Sequence, residues 1–134
     1  MSSEKIQRHA HTTFLKRADL IFKDRLRVDD EACREAAKDA SGLPEHLPLA
    51  VAWPQSATEV SQLMQEALQY QVAVVPRGAG TGKAGGCIPT GQQLVMDMSK
   101  MKRVLAYHPD DLYIEVEPGM ITADLDTLAG EQGL

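Results

Sequence analysis

No apolar run in this chain of 134 residues approaches the roughly 20 needed to span a bilayer. The polar opening, residues 1–11, also lacks the apolar core of a secretion signal. The expectation is therefore a cytoplasmic protein with no membrane span. Cysteine is scarce: Cys33 and Cys87 stand far apart without CxxC spacing, which argues against a zinc site or a disulfide framework and for two reduced thiols. Positive charge is in deficit as well. A formal net charge of −5 and a pI near 5.3 leave no broad basic surface for nucleic acid or an anionic membrane, so any anion must be held locally. The H-x-H pair His9 and His11 lacks the third and fourth ligands of a metal site, so no metal is expected. His46 and His108 sit in proline-bearing turns and read as surface residues. Acid/base chemistry has no constellation either: Glu115 and Glu117 share the polar face of a predicted strand and are expected to meet solvent. No internal repeat or low-complexity segment is visible.

What is present suits one globular domain with a single core, at 43% hydrophobic and 25% charged residues. Phe14, Leu15, Ala18, Ile21 and Phe22 make one apolar stripe on a first helix. A second helix is predicted over residues 30–40, capped by Asp29 or Asp30, with Cys33, Ala36, Ala37 and Ala40 on one side and Gly42 and Pro44 as its stop. Residues 49–53 form a short apolar run that suits a buried strand. Ser56 and Glu59 make the S-x-x-E capping box of a third helix whose Val60, Leu63, Met64, Ala67 and Leu68 are predicted to pack on a sheet. Residues 72–75, 93–98, 103–107 and 112–116 read as strands, with a turn near residues 99–102 and another at 108–111. Thr122 is placed to cap a last helix carrying Ala123, Leu125, Leu128 and Ala129, with Asp124 near its positive end, and the chain reaches Gly133 and Leu134 beyond it. This order gives an α+β domain.

Six glycines fall between Gly78 and Gly91, directly after a strand predicted to be buried. Glycine admits positive φ and close approach of a ligand, so successive N–H groups there can converge on an anion. A P-loop needs Gly five positions before the Gly of its Gly-Lys pair and Ser or Thr after the Lys. Arg77 and Ala84 occupy those places, so that motif fails twice. A G-x-G-x-x-G reading at Gly80, Gly82 and Gly85 fails on context, since Gly86, Pro89 and Gly91 leave no room for the helix that must follow. A strand-loop-strand anion site fits, with a flexible surface hairpin as the bland alternative.

Residues 74–86, V-V-P-R-G-A-G-T-G-K-A-G-G, resemble the pyrophosphate loop of the FAD-linked oxidases related to vanillyl-alcohol oxidase and p-cresol methylhydroxylase. Three flanking stretches agree in order and spacing: L-A-V-A-W-P-Q-S at residues 49–56 with Glu59 and Val60, D-M-S-K-M at 97–101, and V-E-P-G at 116–119 with the helix after it. Within that superfamily the chain is most similar to the glycolate oxidase flavoprotein subunits and FAD-dependent D-lactate dehydrogenases.

The resemblance implies the first half of a PCMH-type FAD-binding domain, a small mixed sheet flanked by helices, over residues 49–134, after a helical N-terminal extension over 1–48. It implies that Pro76, Arg77, Gly78, Ala79, Gly80, Thr81 and Gly82 hold the FAD pyrophosphate, mainly through backbone amides. Thr81 can add a hydroxyl bond, and Arg77 either offsets the diphosphate charge or makes a salt bridge beside the loop. Lys83 is expected in solvent. Gly85 and Gly86 would pass under the flavin, with Pro118 and Gly119 near the cofactor. No histidine lies between Gly78 and Gly91, so the FAD is expected to be noncovalent. The expected substrate of the complete protein is a small D-2-hydroxy acid. The expected partner is a complementary chain or missing domain half, since in such families the domain continues past a point equivalent to Leu134, and this chain alone is expected to be inactive. The rival expectation is a non-enzymatic truncated module that binds a nucleotide phosphate or a partner chain.

Overall fold

A computed structural model describes residues 2–131. The expected end of the chain at Gly133 and Leu134 lies outside the described residues. Helix α1 (Ser3–Phe22) leads through a short 3-10 turn into strand β1 (Leu26–Arg27) and helix α2 (Asp30–Ala36). Strand β2 (Ala50–Ala52), helix α3 (Ala57–Gln69) and strand β3 (Val74–Arg77) follow. After the glycine-rich loop come β4 (Leu94–Asp97), β5 (Val104–His108), β6 (Tyr113–Val116) and helix α4 (Thr122–Glu131).

Four strands form one mixed sheet in the order β1-β2-β4-β3, in which β2, β4 and β3 run parallel and β1 is antiparallel to β2. The resulting arrangement is the expected small mixed sheet flanked by helices. Strand β1 has no sequence signal of its own: two residues, Leu26 and Arg27, follow α1 closely enough to pair with Ala52 and Val51. The later strands divide, β4 entering the main sheet and β5–β6 forming a separate antiparallel hairpin.

Period-two alternation decides the two faces of the sheet. Ala50, Ala52, Leu94 and Met96 face α1 and α3, where they pack with Phe14, Ala18, Phe22, Leu63 and Ala67. Val51 and Val95 point the other way, onto Cys33 and Ala36 of α2. Burial on both faces explains why β2 reads as a continuous apolar run. The Ser56 hydroxyl caps α3 by accepting from the Glu59 amide at 3.2 Å, and the Glu59 carboxylate accepts from the Gln55 amide at 2.8 Å. At its other end Gln71 takes φ of 54°, and the Gln71 and Val72 amides close on the Leu68 and Ala67 carbonyls, the Schellman pattern.

Four local expectations need correction. Helix α2 ends at Ala36, short of residue 40, because the chain turns there to meet the glycine loop. Met64 and Leu68 are 47% and 81% exposed, since Leu63 and Ala67, with Val60 beside them, face the sheet and α1 instead. Leu112 lies outside β6 in a left-handed conformation, φ 56°, at the hairpin turn. Thr122 is the first residue of α4 rather than the cap before it.

Candidate functional site

Parallel neighbours cannot be joined by a tight turn, and the two crossovers in the sheet are made differently. Strands β2 and β3 are linked by α3, whereas β3 and β4 are linked by residues 78–93 with no helix. That loop therefore starts at the C-terminal ends of the parallel strands, where Arg77 pairs in register with Asp97, and must travel back to Leu94. In open sheets with helices on their faces, ligands sit beyond those C-terminal ends. A cavity of about 220 Å³ lies there, lined by Arg77, Gly78 and Ala79 from the loop's root, Trp53 after β2, Ala36 of α2, and Asp97 and Ser99 after β4.

The amides of Gly78, Ala79, Gly80, Thr81 and Gly82 donate no hydrogen bond to any of the described residues. A run of free N–H groups beside a cavity is what a multiply charged anion needs. Gly80 has φ of 70°, a conformation that favours glycine, and a Cβ there would displace the Arg77 guanidinium. Thr81, Gly82 and Lys83 are exposed at the loop's outer turn.

Arg77 faces inward. Its Nη1 donates to the Lys38 carbonyl at 2.7 Å, and close by the Ala40 amide donates to the Gly80 carbonyl at 3.0 Å. Gly85, φ 76°, lies further along the loop against Leu43, while Gly86 is exposed in open space. The predicted site residues thus fall into two groups. Arg77, Gly78 and Ala79 line the cavity, and Gly85 sits instead beneath residues 41–43.

Pro118 and Gly119 do not line the cavity, but Pro118 lies beside Gly78. The Pro118 carbonyl lies 3.8 Å from where a Gly78 Cβ would stand. Gly119 fits so closely over the turn after β4 that a Cβ would strike the Met98 and Met101 carbonyls, and its amide donates to the Met101 carbonyl at 2.8 Å. The turn itself is set by Asp97, whose Oδ1 accepts from the Ser99 amide at 2.8 Å.

Glu117, expected in solvent, is 5% exposed. Its carboxylate takes two hydrogen bonds from the Arg103 guanidinium, at 2.9 and 2.6 Å, and one from the Arg103 amide at 2.8 Å. These bonds hold the carboxyl below the usual glutamate range. Alternation along β6 predicted a solvent-facing side chain. The strand ends at Val116, one residue too early for that pattern to apply.

Sequence reasoning also missed residues 38–43, which lie along the glycine loop with no motif to mark them. His108 stacks on the Tyr113 ring, centroids 4.4 Å apart, across the hairpin. Among the described residues no three His, Cys, Asp or Glu side chains are grouped to hold a metal ion, and no helix is long and apolar enough to cross a membrane.

The family model described as FAD binding domain matches residues 48–134, well over half of the chain. This chain belongs to the FAD-binding domain family. Its cofactor is FAD.

Among curated relatives, the glycolate oxidase subunit GlcD of Bacillus subtilis is 33% identical over 96 residues, covering 72% of this chain and 20% of that protein. The mitochondrial D-lactate dehydrogenase [cytochrome] of Arabidopsis thaliana is 36% identical over 89 residues, covering 66% and 16%. The chain thus spans a fifth or less of the length of these two relatives. The solved structure of p-cresol methylhydroxylase with substrate bound superposes with a TM-score of 0.82 at 17% identity, over 94% of this chain and 25% of that one. The fold is accordingly that of a PCMH-type FAD-binding domain fragment.

Proposed function

We propose that this FAD-binding domain serves a flavin-dependent dehydrogenase or oxidase acting on a D-2-hydroxy acid of the lactate or glycolate type, with the cofactor held noncovalently. The observation that carries the reading is the run of partnerless amides from Gly78 to Gly82 at the C-terminal ends of β3 and β4. Those N–H groups meet the diphosphate oxygens, and the Thr81 hydroxyl adds a further donor. Pro76 and Arg77 form the root of this cradle. Pro118 and Gly119 close it from the hairpin side, and Gly85 and Gly86 carry the loop on toward the flavin. Residues 1–48 act as a helical extension to the FAD-binding residues 49–134.

When bound, FAD supplies the isoalloxazine that accepts a hydride from the substrate's C2 carbon. This chain's part is to bind and orient. The substrate class is supported by relatives whose names are glycolate oxidase subunit, D-lactate dehydrogenase and D-2-hydroxyglutarate dehydrogenase. The absence of histidine between Gly78 and Gly91 supports noncovalent attachment.

The test uses the full-length protein. It should purify with a visible flavin spectrum, release the flavin on acid precipitation, and bleach anaerobically with D-lactate, glycolate or D-2-hydroxyglutarate but not with L-lactate. Protein that neither carries nor binds FAD would sink the whole reading. Bound FAD that none of these acids reduces would sink the substrate class alone.

A further inference from the structure

We infer that residues 38–43 are a clamp that presets the glycine loop for FAD, and that Arg77 is the positioning residue of this clamp rather than a ligand of the diphosphate. The inference rests on the reading of residues 78–82 as the diphosphate cradle. The chain leaves α2 at Ala36, about one turn before its apolar pattern would stop it, and runs across the loop instead. It is fastened at both ends of the crossing. At one end the Arg77 guanidinium donates to the Lys38 carbonyl, and the Ala40 amide donates to the Gly80 carbonyl. At the other, Leu43 packs where a Gly85 side chain would stand.

The clamp is braced internally. Asp39 Oδ1 accepts from the Ser41 amide at 2.8 Å, the Ser41 hydroxyl accepts from the Leu43 amide at 3.2 Å, and Gly42 takes φ of 71° to make the turn.

The Arg77 guanidinium gives a donor of Nη1 to the Lys38 carbonyl, and its Nη2 fills the space that a Gly80 side chain would take. A loop of glycines loses more backbone freedom on ordering than other residues do. A ligand that must order the loop binds more weakly than one that finds it ordered. Fixing the Gly80 carbonyl from one side aims the neighbouring amides to the other, so the clamp contributes to affinity without touching the cofactor.

Three variants of the full-length protein test this: Arg77→Ala, Arg77→Lys and Ala40→Pro, which deletes the amide bonded to Gly80 without changing charge. FAD affinity is read by flavin fluorescence at several salt concentrations. Limited proteolysis after Lys83 is read in FAD-free protein, with thermal melting to confirm folding. Arg77→Ala and Ala40→Pro should each weaken FAD about tenfold, the scale of one hydrogen bond. Both should keep the parent's salt dependence and speed cleavage of the loop, while Arg77→Lys recovers part of the loss. If Arg77→Ala flattens the salt dependence while Ala40→Pro binds normally, Arg77 is a phosphate ligand and the inference is wrong. Unchanged affinity in both variants overturns it too. If the parent binds no FAD, the proposed function fails, and loop cleavage in the FAD-free variants still decides the clamp.

Discussion

The main sheet and the β5–β6 hairpin are held by different forces. In the sheet, Ala50, Val51, Ala52, Leu94 and Val95 are fully buried, sealed by α1 and α3 on one face and α2 on the other. In the hairpin and α4 no side chain is fully buried, and Leu105 is 60% exposed. What fixes the hairpin beside the sheet is directional: the Arg103–Glu117 pair, the Gly119–Met101 hydrogen bond, and the close fit of Gly119 over two carbonyls. The glycine loop springs from the first region and abuts the second at Pro118. The candidate site therefore lies where an apolar core ends and a polar attachment begins, so its stability and its shape answer to different substitutions.

The largest effect tests the core half of that contrast. Leu63 is fully buried between α3 and the sheet. Leu63→Ala should cost about 2–5 kcal/mol in denaturant unfolding, as buried leucine truncations do. Leu105→Ala, on the exposed side of β5, should stay within about 0.5 kcal/mol. Equal losses from the two would abolish the distinction.

A smaller effect tests the attachment. Gly119→Ala forces a methyl group against the Met98 and Met101 carbonyls, and overpacking of that kind costs about 1–3 kcal/mol. The loss should be local. Amide protection should fall in the hairpin while β2 and β4 keep theirs, and a uniform loss across the chain would show that the hairpin is part of the main core after all.

The same contrast explains what the sequence made legible. Periodicity found α1, α3 and the strands of the main sheet because burial on a face writes a period into the chain, and Ser56 with Glu59 announced the start of α3 through local bonding alone. The glycine loop was legible by elimination, since its context suits a strand-loop-strand crossover and no helix. Glu117 was misread because its burial depends on Arg103, which precedes it by fourteen positions and pairs with it only after the hairpin closes. Residues 38–43 were silent for a similar reason. Their bonds to Arg77 and Gly80 run through backbone groups that every residue carries. Strand β1 is two residues long, too short to hold a pattern.

The smallest effect concerns acid. Glu117 is held below the ordinary glutamate value of about 4.3 by the Arg103 side chain and amide. Its folded pKa being lowered, the unfolded chain takes up the proton first as pH falls. The pair's contribution is thus complete above the ordinary value and disappears as pH drops through the lowered one. The Arg103 side chain is 70% exposed, so solvent and salt screen the interaction and the contribution is modest. Below pH of about 4, protection factors in β5 and β6 should decline ahead of those in β2 and β4, and added salt should shrink the difference. Glu59, also lowered by its pairing with Arg25, anchors the start of α3 instead and should leave the hairpin untouched. Glu117→Gln separates the two: it should remove the acid dependence of the hairpin while sparing that of α3. A hairpin that keeps its protection at low pH, or a Glu117→Gln variant with the parent's acid profile, would mean that something other than this ion pair holds Pro118 and Gly119 against the loop.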